Sequence, residues 1–185
     1  MLNKLLIAAC AFSLTLGLAY AESFSGTTRI FPDWSHTTTG LTTVKETFDS
    51  TLYQATHTSG TGANKMNQLW HGTVTIAASA TNTIDITGGI TNSFGTVLTM
   101  SKVRMVFFEA GSANVDTVTI GGGASAFSSI FADSSDAFVL RPDGAIFISG
   151  TDATAYAAGS GNIQFVNNNG NSNATVKVYL GASDS

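Results

Sequence analysis

Three histidines are the side chains of this sequence best suited to metal binding or acid–base chemistry near neutral pH. His36, His57 and His71 lie far apart in the chain, without a His-x-His spacing and without a neighbouring cysteine. A zinc site normally draws its ligands from such closely spaced pairs. We therefore interpret the three histidines as surface or loop residues.

The sequence also offers few of the residues that nucleophilic catalysis or glycoside cleavage would need. Serines are abundant, but none stands in the G-x-S-x-G turn that presents a nucleophile to a base. Only three of the twelve acidic residues are glutamates, and one of them, Glu22, lies at the expected start of the mature chain. The sequence predicts no catalytic residue, and we expect the protein not to be an enzyme.

Calcium is the one metal that the acidic residues favour. Asp133, Asp136 and Asp143 fall within eleven residues, and Ca²⁺ prefers carboxylate and carbonyl oxygens. The stretch has no D-x-D-x-D-G loop, and aspartates that form solvated turns would give the same pattern. Ca²⁺ bound by these three residues is thus one hypothesis, and no other cofactor is expected.

Aromatic side chains offer a second kind of site. Trp34 and Trp70, with Tyr53 and Tyr156, could stack on sugar rings in a weakly charged domain. The same rings could equally pack in the core or along an edge. A glycan is therefore an alternative partner, reached through Trp34 and Trp70.

Composition limits the other partners. Charged residues make up 11% of the 185-residue chain and the net charge is -4, with lysines and arginines scattered singly. A nucleic-acid surface needs a concentrated basic patch to neutralise phosphates, so we expect no nucleic-acid partner.

The length of the chain corresponds to one domain with a sizeable core.

The N-terminus has the pattern of an export signal. Lys4 precedes an apolar run over residues 5–18, and Ala19-Tyr20-Ala21 forms a small-x-small cleavage site. A membrane anchor is the alternative, but the run is shorter than the about 20 residues that a span needs. A second alternative is a lipoprotein signal, with a lipobox that ends at Cys10. We predict a cleaved Sec signal peptide over residues 1–21, a secreted or periplasmic protein, and no integral anchor afterwards.

Residues 22–41 are predicted to form an extended arm before a domain over residues 42–185. The arm carries Phe31 and Trp34, which are too large and apolar for a free tail, while Pro32 argues against a regular central strand. The arm is expected either to lie along the edge of its own domain or to exchange between subunits. Phe31 and Trp34 are therefore candidate partner-binding residues.

The rest of the chain is a succession of short strands and turns. Alternating patterns predict strands over 44–55, 68–76, 115–120, 137–140, 145–149, 163–166 and 175–180. Phe127, Ile130 and Phe131 have helical spacing and predict one or two short turns that plug the core. We predict an all-β fold, a single β-sandwich of jelly-roll or Greek-key type with about eight to ten strands.

The longest apolar-rich stretch outside the N-terminus, residues 98–109, is predicted to be the central strand. Strict alternation places Val103, Met105 and Phe107 on the core face. The opposite face would then change from charged residues to Val106 and Phe108. We expect the arm or a partner to cover Val106 and Phe108.

Several segments together resemble small β-sandwich proteins encoded among tailed-phage and prophage structural genes. The segments are 67–71 (NQLWH), 117–122 (TVTIGG), 131–133 (FAD), 141–145 (RPDGA) and 155–157 (AYA). The resemblance would cover about residues 45–182 and implies a role on a particle surface or in assembly, with a virion surface as the alternative location. Virion proteins normally assemble in the cytoplasm, so the signal peptide departs from that picture and allows an exported cellular relative.

Two functions follow as expectations. The first is a non-enzymatic structural or assembly module, exported or on a particle surface, that associates with itself or with another structural protein. The alternative is a secreted carbohydrate-binding or calcium-dependent adhesion module.

Overall fold

A computed structural model describes residues 25–30, 33–38, 44–49, 53–123, 127–131 and 133–185, with the backbone alone for Ile30 and for residues 33–38 and 44–49. The predicted signal peptide and Phe31 lie outside the described residues. The described part contains strands and one short 3₁₀ turn, and no α-helix. The prediction of an all-β, sandwich-like fold is confirmed.

The strands divide into those of a central sandwich and those around it. The sandwich strands are β6 (Gln68–Ile76), β7 (Thr81–Asp85), β10 (Lys102–Ala110), β11 (Val118–Gly121), β12 (Ala137–Leu140), β13 (Ala145–Ser149), β15 (Asn162–Asn167) and β16 (Ala174–Ser183). The surrounding strands are β1 (Ser25–Ile30), β2 (Asp33–Thr38), β3 (Val44–Asp49), β4 (Tyr53–Ser59), β5 (Lys65–Met66), β8 (Ile90–Thr91), β9 (Val97–Leu98) and β14 (Tyr156–Ala157).

The eight sandwich strands have the connectivity of a jelly roll. They form two antiparallel sheets, in the orders β13-β10-β16-β6 and β12-β11-β15-β7. In chain order, the first strand pairs with the eighth, the second with the seventh, the third with the sixth and the fourth with the fifth. This is one long antiparallel hairpin rolled into a two-sheet sandwich, as the predicted jelly-roll type requires.

The core lies between the two sheets. The first sheet contributes every second residue of β16, from Ala174 to Ala182, and the second contributes Ile120 and Phe165, all of them buried. The Phe108 and Phe165 rings meet edge-on between the sheets with their centroids 5.9 Å apart. One end is closed by Phe127, beside a 3₁₀ turn over Ser128–Ile130, so the predicted plug is present as a single turn.

A β-bulge in β10 overturns one prediction. Val103 pairs with Ala182 and Met105 with Gly181, so Arg104 is an extra residue without a partner on β16. An extra residue reverses the alternation of the residues that follow it. Val106 and Phe108 consequently lie in the core, 1% and 0% exposed. The prediction that they form an outer surface, with Met105 and Phe107 on the core face, is wrong.

The surrounding strands form small sheets. β1 pairs antiparallel with β4 of the same chain, and β5 joins β4 in parallel to complete a three-stranded sheet. β2 and β3 form a two-stranded ribbon inside the predicted arm and the start of the domain. The predicted strand over 44–55 is thus two strands, β3 and β4.

Asn167 fastens the turn between β15 and β16 to the first sheet. Its side-chain amide donates hydrogen bonds to the carbonyls of Ile76, Ala77 and Ser172, and its Oδ1 accepts one from the backbone N–H of Asn169. The side chain is only 2% exposed, so water cannot readily replace these bonds.

Asn167→Ala is expected to lower the free energy of unfolding by about 1–3 kcal/mol, because it leaves buried carbonyls without a donor. Urea denaturation followed by circular dichroism measures the loss. The exposed Asn171 in the same turn provides the control, since Asn171→Ala should change the value by less than about 0.5 kcal/mol. Equal effects of the two substitutions would contradict the role assigned to Asn167.

Candidate functional site

An aromatic row crosses the outer face of the first sheet, opposite the core. Phe147, Phe107, Tyr179 and His71 stand side by side on β13, β10, β16 and β6 because they are direct cross-strand partners. The ring centroids of Phe107 and Tyr179 are 5.8 Å apart, edge-on, and those of Tyr179 and His71 are 5.9 Å apart, stacked. Such pairs stabilise a sheet and here form one continuous apolar surface.

A groove of about 330 Å³ lies along this row. Its floor is formed by Met105, Phe107, Phe147 and Tyr179, and β1 provides one wall. The Thr28 hydroxyl of β1 lies 3.2 Å from the Met105 sulfur. The first described strand of the predicted arm therefore lies beside the apolar face, but at Met105 and not at Val106 and Phe108.

Charged side chains border the groove. Lys177 and Glu109 are cross-strand partners whose Nζ and Oε1 atoms are 2.8 Å apart. The hydrogen bond to Glu109 and its negative charge raise the pKa of Lys177. Arg29 of β1 completes this border. The surface thus combines an apolar floor with a polar rim, the composition of a binding face.

A second unusual feature is a buried basic cluster, Arg104 and His57, under the three-stranded sheet. Arg104 is fully buried; its Nη2 donates to the carbonyl of Thr61 at 2.9 Å and its Nη1 to the carbonyl of Asp152. His57 on β4 is 1% exposed, and neither ring nitrogen has a hydrogen-bond partner. Burial, and then the charge of Arg104, lower the pKa of His57. The interpretation of His57 as a surface or loop residue is wrong.

The structure disperses the partner-binding residues predicted from the sequence. Only the backbone of Trp34 is described, in β2, and Phe31 is outside the described residues. Trp70 lies on the core-facing side of β6 and packs against the core, beside a cavity of about 120 Å³ that Thr91, Asn92 and Ser93 also line. Val106 and Phe108 are core residues, so they present no surface to a partner.

The aspartates predicted to bind Ca²⁺ serve local turns. Asp133 Oδ1 accepts hydrogen bonds from the N–H and the hydroxyl of Ser135, both at 2.9 Å, and these bonds lower the pKa of Asp133. Asp136 Oδ2 accepts a hydrogen bond from the backbone N–H of Asp133. Asp143 has a positive φ in the turn before β13. Within the described ranges, no three His, Cys, Asp or Glu side chains are grouped around a common point. The three aspartates are not assembled into one metal site.

The sequence predicts neither the aromatic row nor the basic cluster. Alternation predicts Phe107 on the core face because a bulge has no sequence mark of its own, and Phe147 and Tyr179 lie in ordinary alternating strands. One signal was available, since an arginine inside an apolar strand indicates either a solvent-facing position or a special environment. Arg104 has the special environment.

Comparisons add no relative. No protein-family model matches this chain, and no curated protein is found to be similar to it. None of the described residues form a helix that is long and apolar enough to cross a membrane. The fold, the aromatic row and the basic cluster are therefore the features from which a function is inferred.

Proposed function

We propose that the protein is a non-catalytic structural or assembly module, exported or displayed on a particle surface, that associates with copies of itself through the outer face of its first sheet. The aromatic row is the observation that supports this. Tyr179 remains 42% exposed in the middle of the row, with Phe107 beside it. Aromatic groups with a polar rim are the composition from which protein interfaces draw most of their binding energy.

The position of β1 also favours association. β1 pairs along β4 and touches Met105 at the edge of the groove, so the arm and the apolar face are parts of one surface. A neighbouring copy that docked on the groove would contact both. The phage-structural resemblance of the sequence points to the same class of role.

Light scattering coupled to size-exclusion chromatography tests self-association of the chain that starts at Glu22. We expect an oligomer whose dissociation constant rises at least about tenfold for each ring removed by Phe107→Ser and Tyr179→Ser, the size of effect typical of interface anchors. Val139→Ser is the matched control, because Val139 is 61% exposed on the second sheet. Removing residues 22–41 should weaken the oligomer too. A strict monomer that neither change affects would contradict the proposal.

A secreted glycan-binding or calcium-dependent adhesion module is the second candidate, supported by the same row and groove. A groove of about 330 Å³ is within the size range of small-ligand sites, and its charged rim could orient hydroxyl groups. A glycan array probed with and without Ca²⁺ separates the two candidates. Binding lost in Tyr179→Ala but retained in Trp70→Ala would favour the glycan, and silence across the array would remove it.

A further inference from the structure

The basic cluster lies at the seam between the three-stranded sheet and the sandwich. His57 belongs to β4 and Arg104 to the β10 bulge, so the two residues approach the seam from opposite sides. Arg104 donates a hydrogen bond to the carbonyl of Thr61, two residues after the end of β4. Two backbone bonds join the same parts, from Asn64 N–H to the Thr151 carbonyl at 2.8 Å and from Asn67 N–H to the Ala182 carbonyl at 3.1 Å.

Packing at the seam is close. Met66 of β5 is 1% exposed and lies over Gly181 of β16, where the absence of a side chain makes room for its sulfur. The backbone of β1 passes opposite His57, at Gly26. His57 is thus enclosed between the strands of the small sheet and the outer face of the sandwich, with no access to water.

Among the side chains that the structure describes, no carboxylate contacts His57. The Asp152 carboxylate accepts the N–H groups of Thr154 and Ala155, both at 2.7 Å, and its charge acts on Arg104. Asp184 binds the side chain of Asn67. The remaining titratable groups on the surrounding elements, among the described side chains, are Arg29 on β1, Tyr53 on β4, Lys65 on β5, Lys102 and Glu109 on β10, Tyr156 on β14, and Lys177 and Tyr179 on β16. Glu109 is already paired with Lys177.

We propose that this seam is an acid-sensitive clasp, in which protonation of His57 beside the buried Arg104 releases the sheet β1-β4-β5 from the outer face of the sandwich. A second positive charge at a buried seam that already holds Arg104 is costly, because the charge of Asp152 acts on Arg104 while no described carboxylate contacts His57. The opened seam, by contrast, lets water solvate both cations. Release would uncover Met105 and Gly181 next to the aromatic row. The clasp does not depend on the proposed function. Its opening would, however, enlarge the exposed outer face of the first sheet, through which the protein is proposed to associate.

The direction of the effect follows from linkage. Because the pKa of His57 is lowered in the closed state, the opened state binds the proton first. The contribution of neutral His57 to closure is fully present above about pH 6.5 and is lost as the pH falls below that value. An opened state with an ordinary histidine gains population as the pH falls from 7.5 to 5.0, by at most roughly thirty-fold, the limit reached when His57 stays neutral in the closed state throughout.

Hydrogen exchange followed by mass spectrometry tests the clasp on the chain that starts at Glu22. At pH 5.0 and 7.5, protection is compared after correction for the intrinsic exchange rate, for peptides covering β4 and β5 and for peptides covering β16. We expect protection of β4 and β5 to fall severalfold at the lower pH, by at most roughly thirty-fold, while β16 changes little. Equal protection of β4 and β5 at the two pH values would overturn the proposal.

Substitutions assign the effect to the right histidine. His57→Gln and His57→Leu should abolish the difference between the two pH values, while His71→Gln, at the exposed histidine of β6, should retain it in full. Should neither His57 variant fold, the imidazole of His57 in the unaltered protein is titrated by NMR. The clasp requires this ring to stay neutral until β4 loses protection, and protonation while β4 stays protected would overturn it.

Discussion

Phe108→Ala is expected to lower the free energy of unfolding by about 3–5 kcal/mol. Phe108 is fully buried, and its ring meets that of Phe165 between the two sheets. Removing the ring deletes a contact that both sheets share and leaves a cavity that strands on either side cannot readily close. Chemical denaturation followed by circular dichroism measures the loss.

Phe107→Ala is the matched control, since it removes the same ring one residue earlier in the same strand. Phe107 lies on the outer face, partly covered by Tyr179, and its loss should lower the free energy of unfolding by only about 1 kcal/mol. The comparison tests the bulge directly. Without the extra residue at Arg104, Phe107 would face the core and the order of the two effects would be reversed.

Hydrophobic alternation was sufficient to predict most of the sandwich. β6, β12 and β13 begin and end where the sequence places them, at Gln68–Ile76, Ala137–Leu140 and Ala145–Ser149. In each of them, turn-forming residues stand close to a short alternating run, so local sequence determines the bounds. The all-β sandwich, of jelly-roll or Greek-key type, followed from the number and spacing of such runs.

The features that matter most for function depend on contacts that local sequence does not record. A bulge inserts one residue without a sequence mark of its own. Simple alternation therefore predicts the core and outer faces of β10 the wrong way round from Met105 onward. The burial of His57 depends on a small sheet that folds over the sandwich from a distant part of the chain. The aromatic row depends on the register of four strands that are not consecutive in sequence.

The bulge links both candidate features. By reversing the faces of β10 it moves Phe107 to the outer side, next to Tyr179, and it leaves Arg104 beneath the three-stranded sheet. A single inserted residue thereby creates the apolar face and the seam that borders it. Bulges that redirect side chains in this way are typical of functional surfaces.

Arg104→Ala is expected to lower the free energy of unfolding by about 3 kcal/mol, because it opens a cavity and leaves the carbonyls of Thr61 and Asp152 without their donor. The loss should be concentrated at the seam. Hydrogen exchange should therefore show weaker protection in β4 and β5 already at pH 7.5, before β16 is affected. Arg141→Ala, at an exposed arginine in a turn, is the control and should change the free energy by less than about 0.5 kcal/mol.

Arg104→Met separates the packing of this side chain from its charge. Methionine fills much of the same space, so the variant should lose less free energy of unfolding than Arg104→Ala does. It also removes the positive charge that helps lower the pKa of His57, while burial, the larger cause, remains. The fall in protection of β4 between pH 7.5 and 5.0 should therefore become smaller without disappearing. An unchanged fall would mean that burial alone sets the pH response, and that Arg104 holds the seam through its two carbonyl bonds only.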